Sequence, residues 1–271
     1  MTPFEILIAA VIGLVAGVVG GLCGIGGSII MLPALALVFG YELPDGQPDL
    51  TRNDHHLYMA AAAMVNVVVA ATSIRPHIKA KAIDRRIVVR LVPPMAIASI
   101  GGVVLSNELP GRIPKFALIV FLFLFVAWTL FTAIRKLPEP TPEQLRATTP
   151  RVGGIGTLAG FLAGFLAIGG GIVLVPSMQI VARVQLRRAI AASAVAMCAV
   201  APIGAVLRLA TLKDHHLAWM DAVSLGLAMA VGAAIGSPLG ARLTHVLKLQ
   251  NLRLVVAIVL GVSGAKMAGF F

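Results

Sequence analysis

The chain has 271 residues, of which 59% are hydrophobic and 12% charged, with a mean hydropathy of +0.96. Soluble domains carry about 25% charged residues, so this composition excludes a water-soluble globular protein and points to a polytopic membrane protein. The formal net charge of +11 sits in residues between apolar runs, the pattern of cytoplasmic loops, and this argues against a nucleic-acid partner.

Residues 3–40 are almost wholly apolar. As one helix they would reach about 57 Å, against a hydrocarbon core of about 30 Å. A break is therefore expected, and Gly24 to Ser28 supplies it. The sequence predicts a helix to about residue 22, a turn, and a shorter helix over Ser28–Phe39. Glu5 precedes the run with no basic residue near it, so a cleaved signal peptide is not expected. Residues 41–54 are polar and acidic. Spans are predicted over 56–74, 87–106 and 116–134. A basic connection from Arg75 to Arg90 joins the first two, and Asn107, Pro110 and Gly111 mark the next turn. Residues 137–151, rich in proline, read as a cytoplasmic linker.

The second half repeats the plan. Residues 152–182 form another overlong apolar run broken by glycines, followed by spans over 189–207, 217–239 and 252–270. Arg242, His245 and Lys248 read as a basic turn. A shift of 143 residues lays Gly13, Gly17 and Gly21 on Gly156, Gly160 and Gly164. It also lays Ile25-Gly26-Gly27 on Ile168-Gly169-Gly170, and Pro33 on Pro176. Arg75 and Arg208 are a looser match. The chain therefore reads as two copies of one unit, residues 1–136 and 152–271.

Loop charge sets the expected topology. If each broken run returns to the face it entered from, one face holds 16 of the 22 Lys and Arg residues and the other holds 6. A single crossing by each run divides them more evenly. The positive-inside bias favours the hairpins. The expected fold is all-α: two inverted repeats, each a glycine-broken re-entrant hairpin plus three transmembrane helices, with both termini periplasmic.

Function is sought where the helices break. Helix N-termini near Gly27-Ser28 and Gly170-Gly171 carry partial positive charge, and two aimed at one point would hold an anion without a buried cation. Gly24, Gly26, Gly27, Gly169, Gly170 and Gly171 are the expected lining. Gly13, Gly17, Gly21 and their second-half equivalents read instead as packing faces. Asn66 is the most polar residue deep in a span. It either hydrogen-bonds a substrate oxygen or joins two helices. Ser28 and Ser193 are lesser candidates, because small hydroxyls in membrane helices usually bond the backbone. Cys23 reads as a packing residue. Arg75 and Arg208, at predicted span ends, are expected to snorkel to headgroups, with attraction of anions at the two mouths as the alternative. Asp54-His55-His56 and Asp214-His215-His216 do not correspond under the repeat and read as coincidence rather than a metal site. No catalytic cluster, metal site or cofactor motif is expected.

The two stretches GGLCGIGGSIIMLP and GFLAGFLAIGGGIVLVP, with the Gly236 segment and Arg242, resemble the sulfite exporter TauE/SafE family, also called the 4-toluene sulfonate uptake permease family. The resemblance covers nearly the whole chain. It implies a bacterial inner-membrane permease whose partners are the bilayer and a small sulfur-containing anion such as sulfite or an organosulfonate. Ser28 departs from the repeat, since the second copy has Gly171, so the two sides of the site would be unequal. The expected function is secondary transport, as an exporter working by alternating access. Alternatives are a permease for another small anion, uptake instead of export, or a membrane assembly factor.

Overall fold

The computed structural model describes residues 2–38, 54–134 and 145–246. The predicted span 252–270, the acidic stretch 41–53 and most of the linker lie outside the described residues. Described residues form nine α-helices: α1 (Pro3–Cys23), α2 (Ser28–Val38), α3 (Asp54–Lys79), α4 (Arg85–Glu108), α5 (Arg112–Ile134), α6 (Thr149–Leu166), α7 (Gly171–Ile180), α8 (Leu186–Thr211) and α9 (Trp219–Val246). A short 3-10 turn, Leu212–His215, extends α8. Among the described residues, five helices are long and apolar enough to cross a membrane: α1, α3, α4, α8 with its 3-10 turn, and α9.

Local sequence explains the ends. Thr2 caps α1 by accepting from the Glu5 amide at 3.3 Å, and the Glu5 carboxylate accepts from the Thr2 amide at 2.8 Å. This reciprocal pair satisfies two amides that would otherwise lack partners, and Pro3 is preset for the first turn. Asp84 caps α4 by accepting from Arg86 N at 2.9 Å. Several helices outrun the hydropathy pattern, α3 and α9 furthest at their C-terminal ends. α3 continues past Arg75 and Pro76 to Lys79, so Arg75 lies inside a helix. α9 runs to Val246 and takes in Arg242 and His245, which the sequence assigns to a turn. Hydropathy marks where lipid contact ends, whereas these helices continue into polar surroundings with their backbone bonds intact.

Packing is carried by backbone approach. Side chains at Gly13, Gly17 and Gly21 would overlap the backbone of Met229, Ala233 and Ser237, so α1 lies against α9 with both running the same way. Side chains at Gly156, Gly160 and Gly164 would overlap Leu91, Met95 and Ser99, so α6 lies against α4 in the same relation. Lipid offers no hydrophobic drive between helices, and small residues let dispersion and backbone contacts replace it. α3 also runs parallel to α9: Ser237 Oγ donates to Val69 O at 2.7 Å, and His77 meets His245 one helical stretch further on. α8 runs antiparallel to α3, bringing Arg208 to Met59 and His215 to His56. Near the linker, Arg146 N donates to Ala182 O at 2.9 Å, so the chain entering α6 and the chain leaving α7 meet at one end of the molecule.

Candidate functional site

Both overlong runs are broken at the expected glycines. α1 stops at Cys23 because Gly24 is left-handed, with φ 63°, and Gly26 at φ 78° turns the chain into α2. In the second run Ala167 (φ 57°), Gly169 (φ 75°) and Gly170 (φ 76°) make the equivalent turn. Ala167 stands where the first copy has Gly24. A left-handed alanine costs about 1–2 kcal/mol, so the surrounding contacts hold it there.

The two breaks meet in the interior, backbone against backbone. A side chain at Gly171 would overlap the Gly24 carbonyl and come within 2.7 Å of Ile25 Cα. One at Gly169 would lie 3.3 Å from the Ile25 carbonyl oxygen. Two polar side chains join them. Asn66 Oδ1 accepts from Gly27 N at 3.0 Å and from Ser28 N at 3.3 Å. Its Nδ2 donates to Ser28 Oγ at 2.7 Å and to Ala167 O at 3.4 Å. Ser193 Oγ donates to Gly24 O at 2.6 Å. Ser28, Asn66 and Ser193 are all buried.

The first amides of α2 are thus covered by the Asn66 carboxamide oxygen. α7 begins on Gly170, which has no side chain to cap it. Gly24, Gly26, Ser28, Asn66, Gly169, Gly171 and Ser193 all lie at this junction. Gly27 and Gly170 turn the other way. A side chain on Gly27 would meet Ala16, and one on Gly170 would meet Ala159 and Ala163, so these two pack each break onto its own incoming helix.

Two further residues were missed by sequence reasoning, and a third was expected to point outward. Met197 Cε fills the gap between the breaks, 2.9 Å from a side chain built on Gly26 and 3.1 Å from one on Gly169. Ser99 lines the cavity beside it. The third is Arg208, where the snorkelling expectation is corrected. Its side chain is only 3% exposed and points inward. Nη2 donates to Gly164 O and, at 3.4 Å, to Phe165 O, while Nη1 lies 3.8 Å from Met59 Sδ. The acceptors belong to the last turn of α6, whose carbonyls lack helical partners and carry partial negative charge. A buried charge is costly unless it is hydrogen-bonded, and these carbonyls supply that bonding. The available signal was its setting, Val206-Leu207-Arg208-Leu209-Ala210, with apolar residues on both sides.

Two spaces adjoin the α3–α8 core. One is a small cavity of about 30 Å³, lined by Asn66, Ser99, Val103, Gly169, Gly204 and Arg208. The other is a wide groove of about 840 Å³ between α3 and α9, lined by Thr72, Arg75, Lys79, Pro238, Arg242 and His245. Arg75 is exposed there.

The histidine pairs are also corrected. His56 stacks on His215, with ring centroids 3.9 Å apart and planes 8° from parallel, and His56 Nε2 lies 3.1 Å from Leu109 O. Antiparallel packing of α3 and α8 therefore joins what the repeat does not relate. At the other end of α3, His77 Nδ1 lies 3.2 Å from His245 Nε2. Among the described residues no three His, Cys, Asp or Glu groups are placed to hold a metal.

Comparison with known proteins gives a consistent result. The family model described as Sulfite exporter TauE/SafE matches residues 9–267. A probable membrane transporter protein of Methanocaldococcus jannaschii is 25% identical over 263 residues, covering 95% of this chain and 93% of its own. The probable membrane transporter protein YunE of Bacillus subtilis is 24% identical, with 96% of each chain covered. The probable membrane transporter protein MamO of Magnetospirillum gryphiswaldense is 26% identical over 97% of this chain, which spans 45% of its length. No solved structure matches the chain.

Proposed function

The chain belongs to the sulfite exporter TauE/SafE family of membrane transporters, and we propose that it exports a small sulfur-containing anion, such as sulfite or an organosulfonate, by alternating access around the paired helix breaks. The observation that carries this reading is the contact between the breaks. Two interrupted helices from different halves meet backbone to backbone, and Asn66 bridges them. Irregular backbone at membrane depth is tolerated where protein or a polar cavity satisfies it, and transporters place their substrates at such points.

In this reading the two halves are inverted repeats. The parallel set α1, α3 and α9, running against α6 and α4, supports that arrangement. The Arg146–Ala182 hydrogen bond supports a hairpin that leaves by the face it entered. The end bearing Lys79, Lys81, Arg85, Arg86, Arg183, Arg187 and Arg188 is the cytoplasmic one by its charge. The chain then sits in a bacterial inner membrane with its termini on the periplasmic side. The anion binds against Gly24, Gly26, Ser28, Gly169, Gly171 and Ser193, displacing part of the Asn66 network. Gly27 and Gly170 hold each break against its own incoming helix.

The test is flux from proteoliposomes loaded in turn with sulfite, methanesulfonate, acetate and neutral dimethyl sulfone. Selective efflux of sulfite or methanesulfonate is expected. Movement of acetate alone would transfer the assignment to another anion class. Movement of none of the four would rule out transport of these solutes and overturn the substrate class proposed here.

A further inference from the structure

Arg208 is buried in a membrane protein with no carboxylate among the described residues paired to it. Its guanidinium carries five N–H donors in a planar fork, and the acceptors around it are the Gly164 and Phe165 carbonyls and the Met59 thioether. Among the described residues, that set leaves its charge without a counter-ion and part of its donor capacity unused. The same guanidinium borders the small cavity that reaches Asn66 and Gly169 at the helix breaks. At about 30 Å³ this cavity has room for a water or two, less than an oxyanion needs. An arriving anion must therefore displace a group already there, and the α6 carbonyls are weaker partners for a guanidinium than an anion is.

We propose that Arg208 is the counter-charge for the transported anion, and that its fork leaves the carbonyls of Gly164 and Phe165 to pair with two oxygens of a sulfonate or sulfite. This inference rests on the proposed transport of an anion at the helix breaks. It adds the cation which that site otherwise lacks, and it couples occupancy to movement. While Arg208 holds the end of α6, α8 and α6 are fastened together beside the small cavity. When the anion takes the fork, that fastening is released. Arg75, its approximate equivalent in the first repeat, is exposed in the wide groove at the other end. Among the described residues no arginine meets the C-terminus of α1, where Leu22 O accepts instead from Thr244 Oγ1 at 2.6 Å. The two ends are thus unequal, with one arginine buried and the other exposed.

The experiment uses the full chain in detergent micelles with methanesulfonate and sulfite as probes. It compares wild type with Arg208→Gln, Arg208→Lys and Arg75→Gln. Affinity is read from the probe-dependent shift in melting temperature, because a ligand that binds the folded state raises its stability by mass action. A purely structural role for Arg208 would move the melting temperature without probe and leave the probe-dependent shift alone. Arg208→Gln is expected to weaken binding about tenfold or more, Arg208→Lys about threefold or more because a lysine keeps the charge but not the fork, and Arg75→Gln by less than about twofold. If Arg208→Gln fails to fold, Arg208→Lys decides the matter. Wild-type affinity in the folded Arg208 variants overturns this inference and leaves the transport reading intact. A wild-type protein that binds neither probe overturns the reading beneath it and this inference together.

Discussion

The hydroxyl of Ser193, on α8, donates to the carbonyl of Gly24 at 2.6 Å across 169 positions of sequence. Gly24 ends α1, so this one bond fastens the break in the first half to a helix of the second. Asn66 does the converse, reaching from α3 to Ala167 at the end of α6. Each half thus supplies the polar group that satisfies a broken end in the other.

Asn66 should separate stability from binding. Asn66→Leu leaves the amides of Gly27 and Ser28 buried without an acceptor, and a loss of about 1–3 kcal/mol is expected. Asn66→Asp keeps the acceptor, loses the donors to Ser28 Oγ and Ala167 O, and adds a negative charge at the start of α2. It should remain folded and lose methanesulfonate binding. Melting curves with and without the probe check both outcomes, and undiminished binding by Asn66→Asp would remove Asn66 from the site.

Glycines of one composition should behave in two ways. Gly171→Ala drives a methyl into the Gly24 carbonyl and the Ser193 hydroxyl, a loss of about 1–3 kcal/mol by overpacking. Gly154→Ala meets nothing within 4 Å and should gain up to about 1 kcal/mol from helix propensity. Thermal melting of the two variants in one detergent measures the difference. Equal melting temperatures would show that the breaks do not touch.

The proposed inverted arrangement predicts which faces three surface positions occupy. In a chain carrying Cys23→Ala and Cys198→Ala, single cysteines at Lys81, Arg188 and Lys213 are labelled with a membrane-impermeant maleimide in intact cells. Lys213→Cys should react from outside, while Lys81→Cys and Arg188→Cys should react only after lysis. Labelling of all three in intact cells would refute the topology.

Arg75, Lys79 and Arg242 line the wide groove with one sign of charge. Such a mouth concentrates anions and speeds their arrival. Arg75→Glu with Lys79→Glu should slow methanesulfonate entry from that side about tenfold at low ionic strength. The gap should narrow above 0.1 M salt, where the Debye length falls to about 10 Å. A rate difference independent of salt would assign these residues a role other than steering.

Much of the architecture was legible because its causes are local. An apolar run too long for the bilayer must break, and glycine is where a helix breaks most easily, so the turns at residues 24–27 and 167–170 could be read directly. The glycines spaced by four announced close helix contact, and Met229, Ala233, Leu91 and Met95 prove to be the surfaces they meet. Asn66 stood out because a carboxamide deep in an apolar span must find partners.

Other features depend on which helices become neighbours. Nothing in the spacing of the six histidines says that His56 stacks on His215, because that contact follows from antiparallel packing of α3 and α8. Met197 reads as one more apolar residue until the two breaks are brought to either side of it. Arg208 sits near the end of its span by hydropathy, and a charge there usually reaches for the headgroups. Its direction is decided by the open carbonyls of α6, which come beside it only when α6 and α8 have packed together. The sequence by itself determined that this is a membrane protein with two broken helices, since backbone conformation and water avoidance act residue by residue. Only the tertiary structure decided what the broken ends face, because a buried hydrogen bond or charge is fixed by the partner that packing delivers.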